Sequence, residues 1–158
     1  MGDTAFIKGL DLCGLFYAEA VRPILDARFP GLVHSAARLG PGSDVLGFDS
    51  PRSTDHGWGP KLDLYLSEPD HARHAASIER VLAQELPFTF RGYPTHFAGE
   101  DRDRGWLEAT DSRPIRHGVA VYTVAAFATG YLGFDPRAGL GPLDWLTPPE
   151  PRLADRKS

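Results

Sequence analysis

Residues 42–66 read GSDVLGFDSPRSTDHGWGPKLDLYL, and this stretch gathers more chemically useful groups than any other part of the chain. It starts as a glycine-serine turn at Gly42 and Ser43, passes through a polar loop with an acidic tip at Asp55, and ends in an apolar segment at 61–66. Small residues let a backbone approach phosphates closely, and a neighbouring carboxylate can hold the metal ion that accompanies them. The stretch therefore predicts a site for a phosphate-bearing ligand.

The last six residues of this stretch alternate cleanly between apolar and polar side chains. Leu62, Leu64 and Leu66 fall on one face of an extended chain, and the opposite face carries Lys61, Asp63 and Tyr65. Such a period of two is typical of a half-buried strand with one face turned to solvent.

Outward from this strand, periodicity and turn residues divide the rest of the chain into helices and strands. A helical pattern covers 6–29, where Pro23 should kink the helix or divide it in two because proline lacks a backbone donor. The further segments are a strand at 32–39, a helix at 70–86, a β-prone run at 88–97, a strand at 115–124 and a short helix at 125–132. This order predicts an α/β or α+β fold in which helices flank a small mixed β-sheet.

Composition limits the class of protein. A chain of 158 residues with 42% hydrophobic and 24% charged residues is typical of one folded domain, which we place at 1–146 with a flexible tail at 147–158. The net charge of −4, without a stripe of Lys or Arg, argues against a nucleic-acid partner. With no long apolar run and no secretory signal, we expect a cytoplasmic protein without a membrane partner. The single cysteine, Cys13, excludes an intramolecular disulfide and is expected to be a buried thiol.

Several short motifs together resemble a known superfamily. They are FIKGL at 6–10, AVRP at 20–23, GSDVLG at 42–47, STDH at 53–56, WGP at 58–60, YLGFDP at 131–136 and LDWL at 143–146. This combination resembles the polymerase-β-like nucleotidyltransferases, and most closely a bacterial family of unknown function whose N-terminal half is nucleotidyltransferase-like. The resemblance covers most of the chain and implies a nucleotidyltransferase-like fold. The relatives continue into a helical half, which the resemblance implies is missing here.

The resemblance also implies a chemistry. In such enzymes the Gly-Ser turn holds nucleotide phosphates, while an Asp-x-Asp pair and a third carboxylate bind two Mg²⁺ ions. One ion activates the attacking hydroxyl and the other stabilises the leaving pyrophosphate. Carried over, Gly42 and Ser43 contact the phosphates of a nucleoside triphosphate, and Asp55 is the catalytic carboxylate and first Mg²⁺ ligand. The second and third ligand positions hold Gly57 and Ala120, which offer no ligand. The resemblance therefore implies an impaired two-metal site that binds a nucleotide or is vestigial.

Other carboxylates leave a second interpretation open. Along an extended strand that rises about 3.3 Å per residue, Asp63 lies roughly 25 Å from Asp55, so that only a sharp turn at 57–60 could bring them together. Asp44 or Asp49 could approach Asp55 from the loop. If one of them does, the chain is an active enzyme that moves a nucleoside monophosphate from a triphosphate to a hydroxyl of a small molecule or protein. A third hypothesis is a non-catalytic module that binds a partner protein.

Two histidines, His71 and His74, stand three residues apart on the predicted helix at 70–86, a spacing that suits a metal ion. The sequence offers no third ligand nearby, and the charged neighbours indicate a solvated helix face. We therefore favour a surface role for both side chains over metal binding.

Overall fold

A mixed β-sheet organises the protein, whose computed structural model describes residues 6–39, 50, 57–99, 105–133 and 135–138. The helices are α1 (Gly9–Phe16), α2 (Arg22–Arg28), α3 (Glu68–Glu85) and α4 (Val124–Leu132), with a 3₁₀ turn at Pro136–Ala138. The strands are β1 (His34–Ala37), β2 (Lys61–Leu66), β3 (Thr89–Phe90), β4 (Tyr93–Pro94), β5 (His96–Ala98), β6 (Trp106–Glu108) and β7 (Gly118–Thr123). The expected combination of helices with a small mixed sheet is confirmed, and the fold class is α+β.

The opening helix is divided in front of Pro23, as the sequence predicts. A π-helical turn at Tyr17–Val21 separates α1 from α2, and Pro23 lies in the first turn of α2. Proline cannot donate a backbone hydrogen bond and its ring crowds the preceding turn, so the wider π turn accommodates it without ending the helix. Cys13 is buried on α1, as expected.

Strand β2 lies in the middle of the three-stranded sheet, which has the order β1-β2-β7. β1 runs antiparallel to β2, and β7 runs parallel to it with Leu62 opposite Val119 and Leu64 opposite Val121. Among the described strands, the remaining four form two small two-stranded sheets, β3-β4 and β5-β6. The parallel pairing brings residues 118–123 beside residues 61–66, although more than fifty positions separate them in sequence.

The prediction of a half-buried β2 is wrong, because all six of its residues are buried. Leu62, Leu64 and Leu66 belong to the main hydrophobic core, where α1 packs on β2 and α3 packs on β7. The opposite face is covered as well: the Phe127 ring of α4 meets the Tyr65 ring edge-on, with 5.3 Å between ring centroids. Alternation in sequence therefore marks two different buried environments rather than a buried and a solvated face.

Helix α3 begins at a side-chain cap that connects it to β2. The Ser67 hydroxyl accepts a hydrogen bond from the Asp70 backbone N–H at 3.2 Å, and Ser67 directly follows the last residue of β2. The cap satisfies one of the donors that a helix N-terminus leaves without an intrahelical partner.

We expect Ser67→Ala to lower the free energy of unfolding by about 1 kcal/mol, because the Asp70 N–H loses its acceptor. Urea denaturation followed by circular dichroism measures this difference. Ser67→Thr, which keeps the hydroxyl, is the matched control and should retain the wild-type midpoint. Equal losses in both variants would show that the cap contributes nothing.

In the part of the chain that the structure describes, no helix is both long and apolar enough to cross a lipid bilayer.

Candidate functional site

The residues predicted to carry the chemistry fall into two groups. Gly42, Ser43 and Asp55 lie outside the described residues, so their placement stays a prediction. The same holds for the loop carboxylates at 44 and 49. The other two expected ligand positions, Gly57 and Ala120, are described, as is Asp63.

The segment 57–60, which leads into β2, is bent rather than extended. Gly57 has φ +67° and Gly59 has φ +142°, and the Gly57 N–H donates to the Gly105 carbonyl at 2.8 Å. A φ of +142° is a conformation that glycine adopts and that side chains exclude. The chain at 57–60 is therefore not the straight strand assumed in the estimate of roughly 25 Å, while Asp55 itself lies outside the described residues.

The third expected ligand position lies directly beside β2. Ala120 of β7 is the register partner of Asp63, and both residues project from the same face of the sheet because neighbours in register share a face. We call this face the polar face and define it by residues of two strands. They are Lys61, Asp63 and Tyr65 of β2 and Gly118, Ala120 and Tyr122 of β7.

The Asp63 carboxylate is buried and held by the end of β1. The residue is 1% exposed. Its Oδ2 accepts a hydrogen bond from the Leu39 backbone N–H at 3.1 Å, and the Arg38 Nη1 lies 3.8 Å from the same oxygen. Arg38 also donates from Nη1 to the Leu39 carbonyl at 3.2 Å, and its side chain is 4% exposed. Asp63 and Arg38 thus hold the backbone of Leu39 from both sides while pairing with each other.

A second cation, Lys61, lies two positions before Asp63 on the polar face. Lys61 is 1% exposed, and its ammonium lies 5.3 Å from the centroid of the Phe97 ring, a cation-π geometry. Gly118 of β7 provides the space, since a Cβ there would come within 2.9 Å of the Lys61 Cγ and 2.6 Å of the Pro60 carbonyl oxygen. The aliphatic part of Lys61 therefore packs against a backbone that carries no side chain.

The sequence pattern did not indicate that Lys61 is buried, or that Arg38 lies against Asp63. Alternation placed Lys61 toward solvent, and Arg38 follows a run of small residues that suggested only a strand. One signal was available, namely that KLDLYL places two opposite charges inside a strand rich in leucine. Buried charges are costly without compensation, so charged side chains within a leucine-rich strand indicate partners elsewhere in the fold.

The described part of the polar face does not fit a pair of Mg²⁺ ions. It contributes one carboxylate, Asp63, which already accepts from Leu39 and lies beside a guanidinium. Within the described ranges, no cluster of three or more His, Cys, Asp or Glu side chains is arranged to hold a metal ion. Magnesium prefers several oxygen ligands in an octahedral arrangement, and Gly57 and Ala120 supply no side-chain oxygen.

A cavity of about 380 Å³ lies at the other end of β2, where β2 and β7 terminate side by side. Its walls include His34, the ring of Tyr65, and the capping residues Ser67 and Thr123. His34 donates from Nδ1 to the Leu32 carbonyl at 3.1 Å, and its Nε2 lies 3.0 Å from the Tyr17 hydroxyl. The cavity is therefore lined mainly by apolar groups, and several of its polar side chains cap helices or make hydrogen bonds within the fold.

An ion-pair cluster closes one side of the cavity. Arg137 binds the Asp135 carboxylate through two of its nitrogens, at 3.0 and 2.7 Å, and also pairs with Glu68 at the start of α3. These hydrogen bonds from Arg137 lower the pKa of Asp135 to about 2, so its carboxylate stays ionised until the pH approaches that value. The guanidinium is thus already engaged by two carboxylates.

The histidines of α3 serve the packing of the helix. The His71 Nε2 donates to the Val121 carbonyl of β7 at 3.2 Å, and the His74 ring meets Phe29 edge-on at 5.7 Å. Both side chains are half-buried. The expectation of a solvated face is therefore wrong for these two positions, since β7 contacts His71 and Phe29, the residue after α2, contacts His74.

Comparison of the chain with protein families, with curated proteins and with solved structures finds no match in any of the three.

Proposed function

We propose that the chain is a nucleotidyltransferase-like domain that binds a nucleoside triphosphate in an impaired two-metal site. The observation that carries the proposal is the pairing of Asp63 with Ala120, which brings a strand-borne carboxylate and the expected third ligand position together on one face. The bend at 57–60 supports it, because the described residues that lead into β2 have a positive φ at Gly57 and Gly59. The bend contains the motif WGP at 58–60, which is one of those that carry the resemblance.

The residues have separate roles in this proposal. Gly42 and Ser43 contact the phosphates through a backbone that has little or no side chain to block their approach. Asp55 binds a Mg²⁺ ion, which when bound neutralises phosphate charge and orients the triphosphate. Gly57 and Ala120 contribute no ligand, so the set of ligands that would hold two metal ions for nucleotidyl transfer is incomplete. Binding without efficient transfer follows from this set of residues.

The proposal predicts that the wild-type chain binds at least one nucleoside triphosphate in the presence of Mg²⁺. Asp55→Ala is expected to weaken that binding by about tenfold or more, because a charge-assisted metal contact is lost. Isothermal titration calorimetry with each of the four ribonucleoside triphosphates measures both. Asp111→Ala, at an exposed position outside the polar face, is the matched control and should bind as the wild type does.

The outcomes separate the three hypotheses. If Asp55→Ala loses triphosphate binding while the wild type and Asp111→Ala retain it, the result supports a nucleotide site. Pyrophosphate release is measured with a coupled pyrophosphatase assay and a panel of hydroxyl acceptors. Release that depends on Asp55 would favour the active transferase over the impaired site. Absence of binding for every triphosphate would reject the nucleotide site and favour the module that binds a partner protein.

A further inference from the structure

We propose that the cavity at the carboxyl ends of β2 and β7 is a binding site for a small uncharged molecule with an apolar ring. The cavity lies at the end of β2 opposite the bend at 57–60, and its lining includes residues of β1, β2, α3 and α4. This inference goes beyond the proposed function and does not depend on it.

The position and size of the cavity suit a small ligand. Leu66 and Thr123, which both line it, are register partners at the ends of two parallel strands. The carboxyl ends of parallel strands are a frequent place for ligand sites in α/β sheets. The volume of about 380 Å³ is near the lower end of the range for small-molecule sites, roughly 300–1,000 Å³. This volume favours a ligand of one or two rings.

Two exposed valines form part of the cavity wall. Val33 is 79% exposed and Val124 is 61% exposed, which makes them the most exposed large apolar side chains among the described residues. Apolar surface in water is unfavourable, and a ligand in the cavity covers part of it. The Tyr65 ring, another part of the wall, is fixed by its edge-on contact with Phe127 at 5.3 Å. An apolar ring is therefore the ligand surface that this wall fits.

Several polar side chains of the wall are already engaged within the fold. The Ser67 hydroxyl donates to the Asp70 Oδ2 at 2.8 Å and accepts from the Asp70 N–H. The Thr123 hydroxyl accepts from the Ala126 N–H at 3.0 Å, and both ring nitrogens of His34 make the hydrogen bonds described above. A strongly polar ligand would exchange its hydration for groups that are occupied, which is costly.

The charged groups beside the cavity compensate one another. Arg137 pairs with Glu68 and with Asp135, and its hydrogen bonds lower the pKa of Asp135 to about 2, so this carboxylate stays ionised and paired at neutral pH. The Arg137 and Glu68 side chains are also 58% and 57% exposed, so that water screens their charges. An ionic ligand would find little uncompensated charge here, and an uncharged one is favoured.

Three probes that share one indole ring test the class of ligand. Tryptophol is uncharged, tryptamine is a cation and indole-3-acetate is an anion. We expect tryptophol to bind with a Kd of about 1 mM or lower, and the two charged probes to bind about tenfold more weakly. NMR titration of the ¹⁵N-labelled chain measures each Kd and locates the ring through the amide signals of Leu66, Ser67 and Ala125. Equal or tighter binding of a charged probe, or tryptophol binding that leaves these signals unchanged, would overturn the proposal.

A substitution at the rim tests the apolar contact. Val124→Asp is expected to weaken tryptophol binding about tenfold, and an acidic residue in the first turn of a helix is compatible with the fold. Leu10→Asp is the matched control, because Leu10 is an exposed residue in the first turn of α1 that does not line the cavity. It should bind tryptophol as the wild type does. If Val124→Asp does not fold, Ser35→Phe narrows the cavity from the exposed face of β1 instead. Unchanged affinity in the folded rim variant would overturn the proposal.

A second copy of the chain is the other occupant that the exposed valines could meet. Size-exclusion chromatography at the concentration of the NMR samples tests it, and a monomer is expected. A wild-type dimer that Val124→Asp converts to a monomer would assign Val33 and Val124 to a self-interface and overturn the small-molecule site. These measurements contain neither nucleotide nor Mg²⁺, so their outcome is independent of the triphosphate titrations.

Discussion

Asp63→Ala is expected to lower the free energy of unfolding by about 3–5 kcal/mol. The substitution removes a carboxylate that is 2% exposed, takes away the acceptor of the Leu39 N–H and breaks the ion pair with Arg38 at 3.8 Å. Taking away one member of a buried ion pair is costly because the other charge stays in a medium of low dielectric. Urea denaturation, with the slope compared between variants, measures the loss.

Asp26→Ala is the matched control for this prediction. Asp26 also pairs with an arginine, Arg22, at 3.6 Å, but both side chains are more than half exposed. Exposed pairs one helical turn apart contribute only about 0.3–0.5 kcal/mol, so this variant should unfold close to the wild type. Similar losses in the two variants would mean that burial does not determine the contribution of Asp63 to stability.

Gly59→Ala is expected to cost about 3 kcal/mol, from backbone strain and overpacking together. At φ +142° a side chain is disfavoured by the backbone itself. A Cβ would also come within 2.7 Å of the Leu107 Cδ2 and 3.0 Å of the Phe97 Cζ. Because residue 59 shapes the bend between Asp55 and β2, the same variant should weaken triphosphate binding even when it is folded.

Gly31→Ala separates strain from packing. Gly31 also has a positive φ, +79°, but a Cβ there would have no neighbour within 4 Å. The expected loss is about 1 kcal/mol, since alanine tolerates the left-handed region at moderate cost. If Gly59→Ala loses no more than Gly31→Ala, then the contacts with Leu107 and Phe97 relax freely and the segment 57–60 is less constrained than its geometry implies.

The predicted loss of stability in Asp63→Ala and the proposed function involve the same strand, β2. Asp63 lies on the central strand, two positions from Lys61 and beside Ala120, so a substitution of Asp63 changes both the stability of the sheet and the face on which the proposed function rests. A variant at Asp63 must therefore be compared with the wild type under conditions where both are folded.

The sequence by itself determined the local structure of the chain. The period of two at 61–66, the period of 3.6 at 70–86 and the break at Pro23 reproduce β2, α3 and the division between α1 and α2. These features depend on near neighbours along the chain, namely which side of a strand or helix is apolar and where a backbone donor is missing. The α+β class follows from the same patterns.

Only the tertiary structure decided which faces are buried and which distant residues meet. Alternation in KLDLYL could not show that α4 covers the second face of β2, or that Arg38 would lie against Asp63. The pairing of Asp63 with Ala120 depends on the register of two parallel strands whose connection includes α3 and both small sheets. Register and burial come from packing between elements far apart in sequence, and the cost of a buried charge is set by this packing rather than by its neighbours in the chain.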